Sequence, residues 1–142
     1  MAKVIRNMND FKKQIQDACN KAVESTAITL IGKLQDCIDK QYYKDPGFYP
    51  NVYERTETFL KHVAYSMLSS NQAQIYVDIE GMHYKNNFSP WQVVKWASES
   101  KHGADYYQTN SKDFWTVFID WCNDYLIDLL KKNLRQQGLN IR

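Results

Sequence analysis

Apolar residues recur every three or four positions through the first third of the chain. The series begins near Asn9 and continues to about Tyr42, which predicts one amphipathic helix capped by Asn7 or Asn9. Its apolar members are Phe11, Ile15, Ala18, Cys19, Ala22, Val23, Ala27, Leu30, Leu34, Cys37 and Ile38. Such a helix is roughly 50 Å long. A small core does not need that length, so we expect one end to pack on something outside its own subunit.

A different pattern follows in the middle of the chain, where apolar and polar residues alternate. Residues 63–68 and 75–79 alternate in this way, and the polar residues 69–72 link them. Two runs of period two with a short link predict an antiparallel pair of strands. Because a two-stranded ribbon is only marginally stable, we expect a third strand from residues 3–5 or 82–84.

Helical periodicity returns twice in the second half of the chain. Ser89 followed by Pro90 predicts the start of a short helix, and the polar residues 98–110 indicate a loop. The last helix opens at Ser111, with Asp113 close behind it, and ends before Gly138. Its apolar face is made of Phe114, Val117, Phe118, Trp121, Cys122, Tyr125, Leu126, Leu129, Leu130 and Leu134.

These elements predict a single domain of the α+β class over residues 1–142. We expect a long N-terminal helix, a small antiparallel sheet, a short inserted helix, and a long C-terminal helix packed on the sheet. A chain of this length buries enough surface to form a core without disulfides or metals.

Charge and cysteine content restrict the kinds of function that the sequence predicts. The net charge is only +2, with 18 basic and 16 acidic residues spread along the chain, so no polybasic arm is present to bind nucleic acid. No apolar run is long enough for a signal peptide or a membrane span, which predicts a protein made in a cytoplasm. The three cysteines lack metal-ligand spacing, and we expect buried, unreactive thiols.

Three further patterns in the sequence are candidates for a catalytic site. Asp120, Asp124 and Asp128 share one helical face and are candidate metal ligands, but a solvent-facing or subunit-facing acidic stripe is the favoured interpretation. The histidines are scattered and form no catalytic-triad signature: they are His62, His83 and His102. The glycines form no phosphate-binding loop. The sequence therefore predicts a protein that is not an enzyme and holds no cofactor or metal.

One segment has the composition of a contact surface. It runs Tyr49-Pro50-Asn51-Val52-Tyr53-Glu54-Arg55-Thr56, between the long helix and the two strands. Tyrosine and arginine dominate protein interfaces, and proline restricts a loop that presents them. An alternative is a single-stranded nucleic-acid binder, since aromatic residues interleaved with basic ones stack on bases. The aromatic residues concerned are Tyr42, Tyr43, Phe48, Tyr49 and Tyr53, which flank Lys44 and Arg55.

The same segment, followed by Phe59, Leu60 and Val63, resembles the motif of tail-completion or head-to-tail joining proteins of long-tailed bacteriophages. In that family a long helix leads into a Tyr-x-Arg-Thr-Gly segment, then strands, then a C-terminal helix ending near a glycine. The resemblance covers nearly the whole chain. It departs at Glu57, where the family usually has glycine, at His62, where a serine is common, and at residues 91–110, which look like an insertion.

What the resemblance implies is a structural component of the virion neck. Such a protein forms a ring, possibly a hexamer, from copies of itself and contacts the head connector and the tail tube proteins. It implies no contact with a membrane and no specific binding of nucleic acid. The residues that carry the resemblance, and that it implies are at an interface or fix the motif, are Tyr49, Pro50, Tyr53, Arg55, Thr56 and Leu60.

Overall fold

The structure, a computed structural model, describes residues 6–43, 58–82, 89–99 and 112–141. Its first element is helix α1, Met8–Ile38, which continues into a π-helical turn, Asp39–Tyr43. Asn7 caps the helix, because its side-chain oxygen accepts a hydrogen bond of 3.0 Å from the backbone N–H of Asp10. The predicted helix is therefore confirmed, and Asn7 rather than Asn9 is its cap.

The predicted pair of strands is also confirmed. The short helix α2, Thr58–Lys61, precedes strand β1, Val63–Ser69, and a two-residue turn joins β1 to strand β2, Gln72–Val77. The strands are antiparallel, and Leu68 is an extra residue that bulges from β1. Within the described residues the sheet has two strands.

The expected third strand is not present among the described residues. Met82 lies outside any strand and is fully buried in the core. Residues 3–5, 83 and 84 lie outside the described residues. Burial against α1 gives the ribbon the apolar partner that it would otherwise obtain from another strand.

Two helices complete the fold. Helix α3, Pro90–Ser98, has its proline in the first turn as predicted, and helix α4, Phe114–Gln136, follows the polar stretch. Asp113 caps α4, since its carboxylate accepts hydrogen bonds of 2.9 Å from both the backbone N–H and the hydroxyl of Thr116. Beyond its C-terminus, Gly138 has φ +88°, the left-handed conformation that ends many helices.

Helices α1 and α4 lie antiparallel and pack extensively against each other. Thr26 meets Asn133, whereas Lys33, further along α1, lies over the ring of Trp121, which comes earlier on α4. The core lies where α1, α2 and α4 meet. Its largest fully buried side chains are Leu34, Ile38, Phe59 and Met82.

The partner of the C-terminal helix differs from the expectation that it packs on the sheet. Helix α4 packs chiefly on α1, and the sheet covers another part of α1. The physical reason is area, because two long amphipathic helices bury more apolar surface against each other than a ribbon of six or seven residues per strand can offer. One consequence is a gap between α4 and the sheet above α1.

Candidate interaction surfaces

Most of the predicted contact motif lies outside the described residues. This applies to Tyr49, Pro50, Tyr53, Arg55 and Thr56. Leu60 is described, and it is a half-buried residue of α2 that packs against the core. Its carbonyl accepts a hydrogen bond of 3.2 Å from the side-chain amide of Gln35, which ties α2 to α1.

Aromatic packing fixes the two ends of the chain segment that contains the motif. Tyr42 comes before the segment and Phe59 comes after it, and their rings meet edge to face with centroids 5.9 Å apart. Phe59 in turn contacts Phe114 of α4 at 5.2 Å. Both flanks of the motif therefore start from one aromatic cluster in the core. Because Tyr42 is only 6% exposed there, it is not free to stack on a nucleic-acid base.

The N-terminal part of α1 extends past the end of α4. Asn133, three residues before the end of α4, lies against Thr26, so α4 ends near position 23 of α1. Residues 8–21, which we call the overhang, project past this point by roughly 20 Å, and none of them is buried. The overhang presents an apolar stripe in which Met8 is 65%, Phe11 43% and Ile15 36% exposed.

A groove opens in the gap between α4 and the sheet, with α1 as its floor. Its volume is about 500 Å³. Val23, Ala27 and Leu30 form the floor, and the walls include Leu126 and Leu130 of α4 and Leu68 of β1. The bulge at Leu68 contributes to its exposure, since an extra residue changes the direction of the side chains of a strand.

The acidic stripe of α4 faces solvent. Asp120, Asp124 and Asp128 are all exposed, and the carboxylate of Asp120 accepts a hydrogen bond of 2.9 Å from the ammonium group of Lys112. Among the described residues, no three histidine, cysteine, aspartate or glutamate side chains lie close enough together to hold a metal ion. His62 lies between α2 and β1, whereas His83 and His102 lie outside the described ranges.

The cysteines are unpaired and differ in exposure. Cys37 is buried, while Cys19 and Cys122 are half-buried. Burial raises the pKa of the Cys37 thiol, and it raises the pKa of Cys122 as well. Since the thiolate is the reactive form, both residues are less nucleophilic than a free cysteine in water. The expectation of buried thiols is thus confirmed for Cys37, and the other two are partly accessible.

Sequence reasoning missed one buried polar contact, the hydrogen bond from the Asn133 side chain to the Thr26 hydroxyl. A signal for it was present, because Asn133 falls at an apolar position of the helical repeat, seven residues after Leu126 and three before Gln136 closes the helix. A polar residue in such a position requires a partner. The groove had no comparable signal in the sequence.

None of the helices in the described ranges is long and apolar enough to cross a membrane.

Comparison with known protein families gives a match over most of the chain. The profile of the YomN family covers residues 2–136, which is nearly the whole chain. No curated protein matches the chain, and no solved structure does. The family derives from Bacillus phage. The chain therefore belongs to the YomN family and is a phage-associated protein.

Proposed function

We propose that the chain is a structural virion protein, a tail-completion or head-tail joining component that assembles as a ring in the neck. The observation that carries this proposal is the overhang, whose apolar stripe lies outside the core of its own subunit. Exposed apolar stripes on helices mark surfaces that another protein covers. A ring of identical subunits provides such a cover, because each copy buries one surface against the next.

Membership of a phage-derived family supports the same conclusion. The motif at residues 49–56, with Leu60 after it, resembles the corresponding segment of tail-completion proteins. In this proposal Arg55 clamps the motif, because a planar guanidinium group can bind several carbonyl oxygens or a carboxylate at once. The contact between Tyr42 and Phe59 holds both flanks of the motif on the core.

The proposed protein is not an enzyme and uses no cofactor. It is made in the cytoplasm of the host bacterium and ends in the virion, between the head connector and the tail tube. Its partners there are copies of itself and those two proteins. The proposed role involves no contact with a membrane and no specific binding of nucleic acid.

The direct test uses phage particles. Deleting the gene should give separate heads and tails in electron micrographs, and supplying the intact chain from a plasmid should restore joined particles. Supplying Arg55→Ala or Arg55→Lys should not restore them, because both variants lack the guanidinium fork. Lys132→Ala, which removes an exposed base from α4, is the matched control and should restore joining.

Two results would contradict the proposal. One is the absence of the chain from purified particles, measured by mass spectrometry. The other is normal joining of heads to tails in the deletion strain.

A further inference from the structure

The apolar stripe of the overhang has the spacing of a helix that binds in a groove. Met8, Phe11 and Ile15 follow one another at steps of three and four, so they project from one face of α1. Helices that bind in apolar grooves use anchors at this spacing. Half-buried Cys19 continues the same face toward the core.

The groove fits such a helix in chemistry and in length. None of its lining residues carries a charge. Its floor extends from Val23 to Leu30, seven residues along α1, and the anchors Met8 and Ile15 are also seven residues apart. Both spans measure about 10 Å along a helix axis, so the three anchors match the length of the floor.

Charge does not oppose this pairing. Asp120, Asp124 and Asp128 project from a different face of α4 than the groove-lining Leu126 and Leu130, and they are exposed. The three anchors of the overhang are apolar, so the contact buries no charged side chain.

The occupant of the groove cannot be the overhang of the same molecule. The overhang and the groove floor belong to one continuous helix, and a helix does not fold back on itself without breaking. A second copy of the chain is free to supply the overhang. The contact then joins two different surfaces, which leads to a closed ring when the rotation between subunits is suitable.

We propose that the overhang of each copy docks in the groove of the next copy, with Met8, Phe11 and Ile15 packed between α4 and the β1–β2 ribbon. This inference rests on the proposed assembly into a ring and names the two surfaces that form it.

Two charge-insertion variants test the two surfaces separately in the full-length protein. Phe11→Asp damages the overhang and leaves the groove intact, whereas Leu68→Asp damages the groove and leaves the overhang intact. Both side chains are exposed, and circular dichroism and thermal melting establish that each variant is folded. Ile28→Asp is the matched control, because Ile28 is an exposed apolar residue of α1 that belongs to neither surface.

Sedimentation velocity over a wide range of concentrations is the measurement. Each damaging variant should self-associate at least about tenfold more weakly than the unmodified chain, because an unpaired carboxylate is costly to bury in an apolar contact. An equimolar mixture should form a heterodimer, since it still contains one intact overhang and one intact groove. The Ile28→Asp variant should associate like the unmodified chain.

Three results would overturn the inference. They are self-association of the Leu68→Asp variant at full strength, failure of the two folded variants to combine, and an unmodified chain that stays monomeric at every concentration reached. This assay is independent of phage particles. If the ring forms through other surfaces, this inference fails and the proposed function stands. If heads and tails join normally in the deletion strain, the proposed function fails, and the contact measured between purified copies stands.

Discussion

The side-chain amide of Asn133 donates a hydrogen bond of 2.9 Å to the hydroxyl oxygen of Thr26, in the buried interface between α1 and α4. The Thr26 hydroxyl in turn donates to the carbonyl of Ala22 at 2.8 Å. Both residues are more than nine-tenths buried. Because a buried amide is costly without a partner, this contact favours the observed register of α4 along α1.

Removing the hydroxyl at position 26 should destabilise the protein. Thr26→Val leaves the Asn133 amide buried without that partner, which should lower the free energy of unfolding by about 1–3 kcal/mol. Replacing both residues, Thr26→Val with Asn133→Leu, should recover part of the loss, because no polar group is then left unpaired. Urea denaturation of the single and double variants measures this coupling.

Thr29→Val is the control for this pair. The Thr29 hydroxyl makes the same local bond, to the carbonyl of Ser25 at 3.1 Å, but it is exposed. Its replacement should change the free energy of unfolding by no more than about 0.5 kcal/mol. A loss as large as that of Thr26→Val would show that the helical back-bond, rather than Asn133, accounts for the effect.

Two glycines should respond to alanine with opposite signs. Gly32 lies within α1, and a methyl group there would meet nothing within 4 Å, so Gly32→Ala should stabilise the chain by about 1 kcal/mol. Gly138 has φ +88°, so Gly138→Ala should destabilise it by about 1 kcal/mol. Thermal melting of both variants is the measurement. A loss of stability in Gly32→Ala would indicate a neighbour at that position.

Removing the cap of α4 should lower the global stability, whereas removing the cap of α1 should loosen only the start of that helix. Asp113→Ala removes the cap of α4 next to buried Phe114 and should cost about 1 kcal/mol of global stability. Asn7→Ala removes a similar cap from the overhang, which has no buried residue, so the first turns of α1 should fray while global stability stays nearly unchanged. Amide hydrogen exchange separates local from global opening. Equal effects on core amides would contradict this difference.

The cysteines should be alkylated in an order set by burial. Cys37 is 2% exposed and the pKa of its thiol is raised by burial, so iodoacetamide should leave it unmodified in the native protein. Cys19 and Cys122 are half-buried and should react first. Mass spectrometry of native and urea-unfolded samples reports the order. Early labelling of Cys37 would mean that the core around it opens.

The ion pair at the end of α1 should give a small dependence of stability on pH. The hydrogen bond and charge of Lys40, at 3.1 Å, hold the pKa of the Asp36 carboxyl below its ordinary value. A lowered pKa in the folded state stabilises the protein above the unfolded pKa, and this contribution disappears as the pH falls through the folded pKa.

Asp36→Asn should therefore reduce stability at neutral pH, by about 0.3–0.5 kcal/mol because the pair is exposed. Denaturation at neutral and acidic pH measures the difference between the variant and the unmodified chain, which should vanish in acid. Added salt should also reduce it. A difference that persists in acid would assign the effect to the altered side chain rather than to its charge.

Much of the fold was predictable because the signals were local. The steps of three and four from Phe11 to Ile38, and the alternation from Val63 to Leu68, reflect the geometry of a single element. The caps followed similar local rules: Asn7 rather than Asn9 makes the capping hydrogen bond of α1, and the cap of α4 is Asp113, two residues after Ser111. The motif at residues 49–56 remains a prediction from sequence, since it lies outside the described residues.

The sequence by itself determined the helices α1, α3 and α4 and the pair of strands, because periodicity, caps and the left-handed glycine depend on neighbouring residues alone. It also indicated that α1 is longer than its core requires. It did not reveal the short helix α2 or the π-helical turn. Only the tertiary structure decided that α4 packs on α1 rather than on the sheet, that Asn133 meets Thr26, and that a groove opens beside Leu68. These features depend on which apolar faces bury the most area against each other, and the segments that compete can lie more than a hundred residues apart in the chain. A local pattern in the sequence does not contain that information.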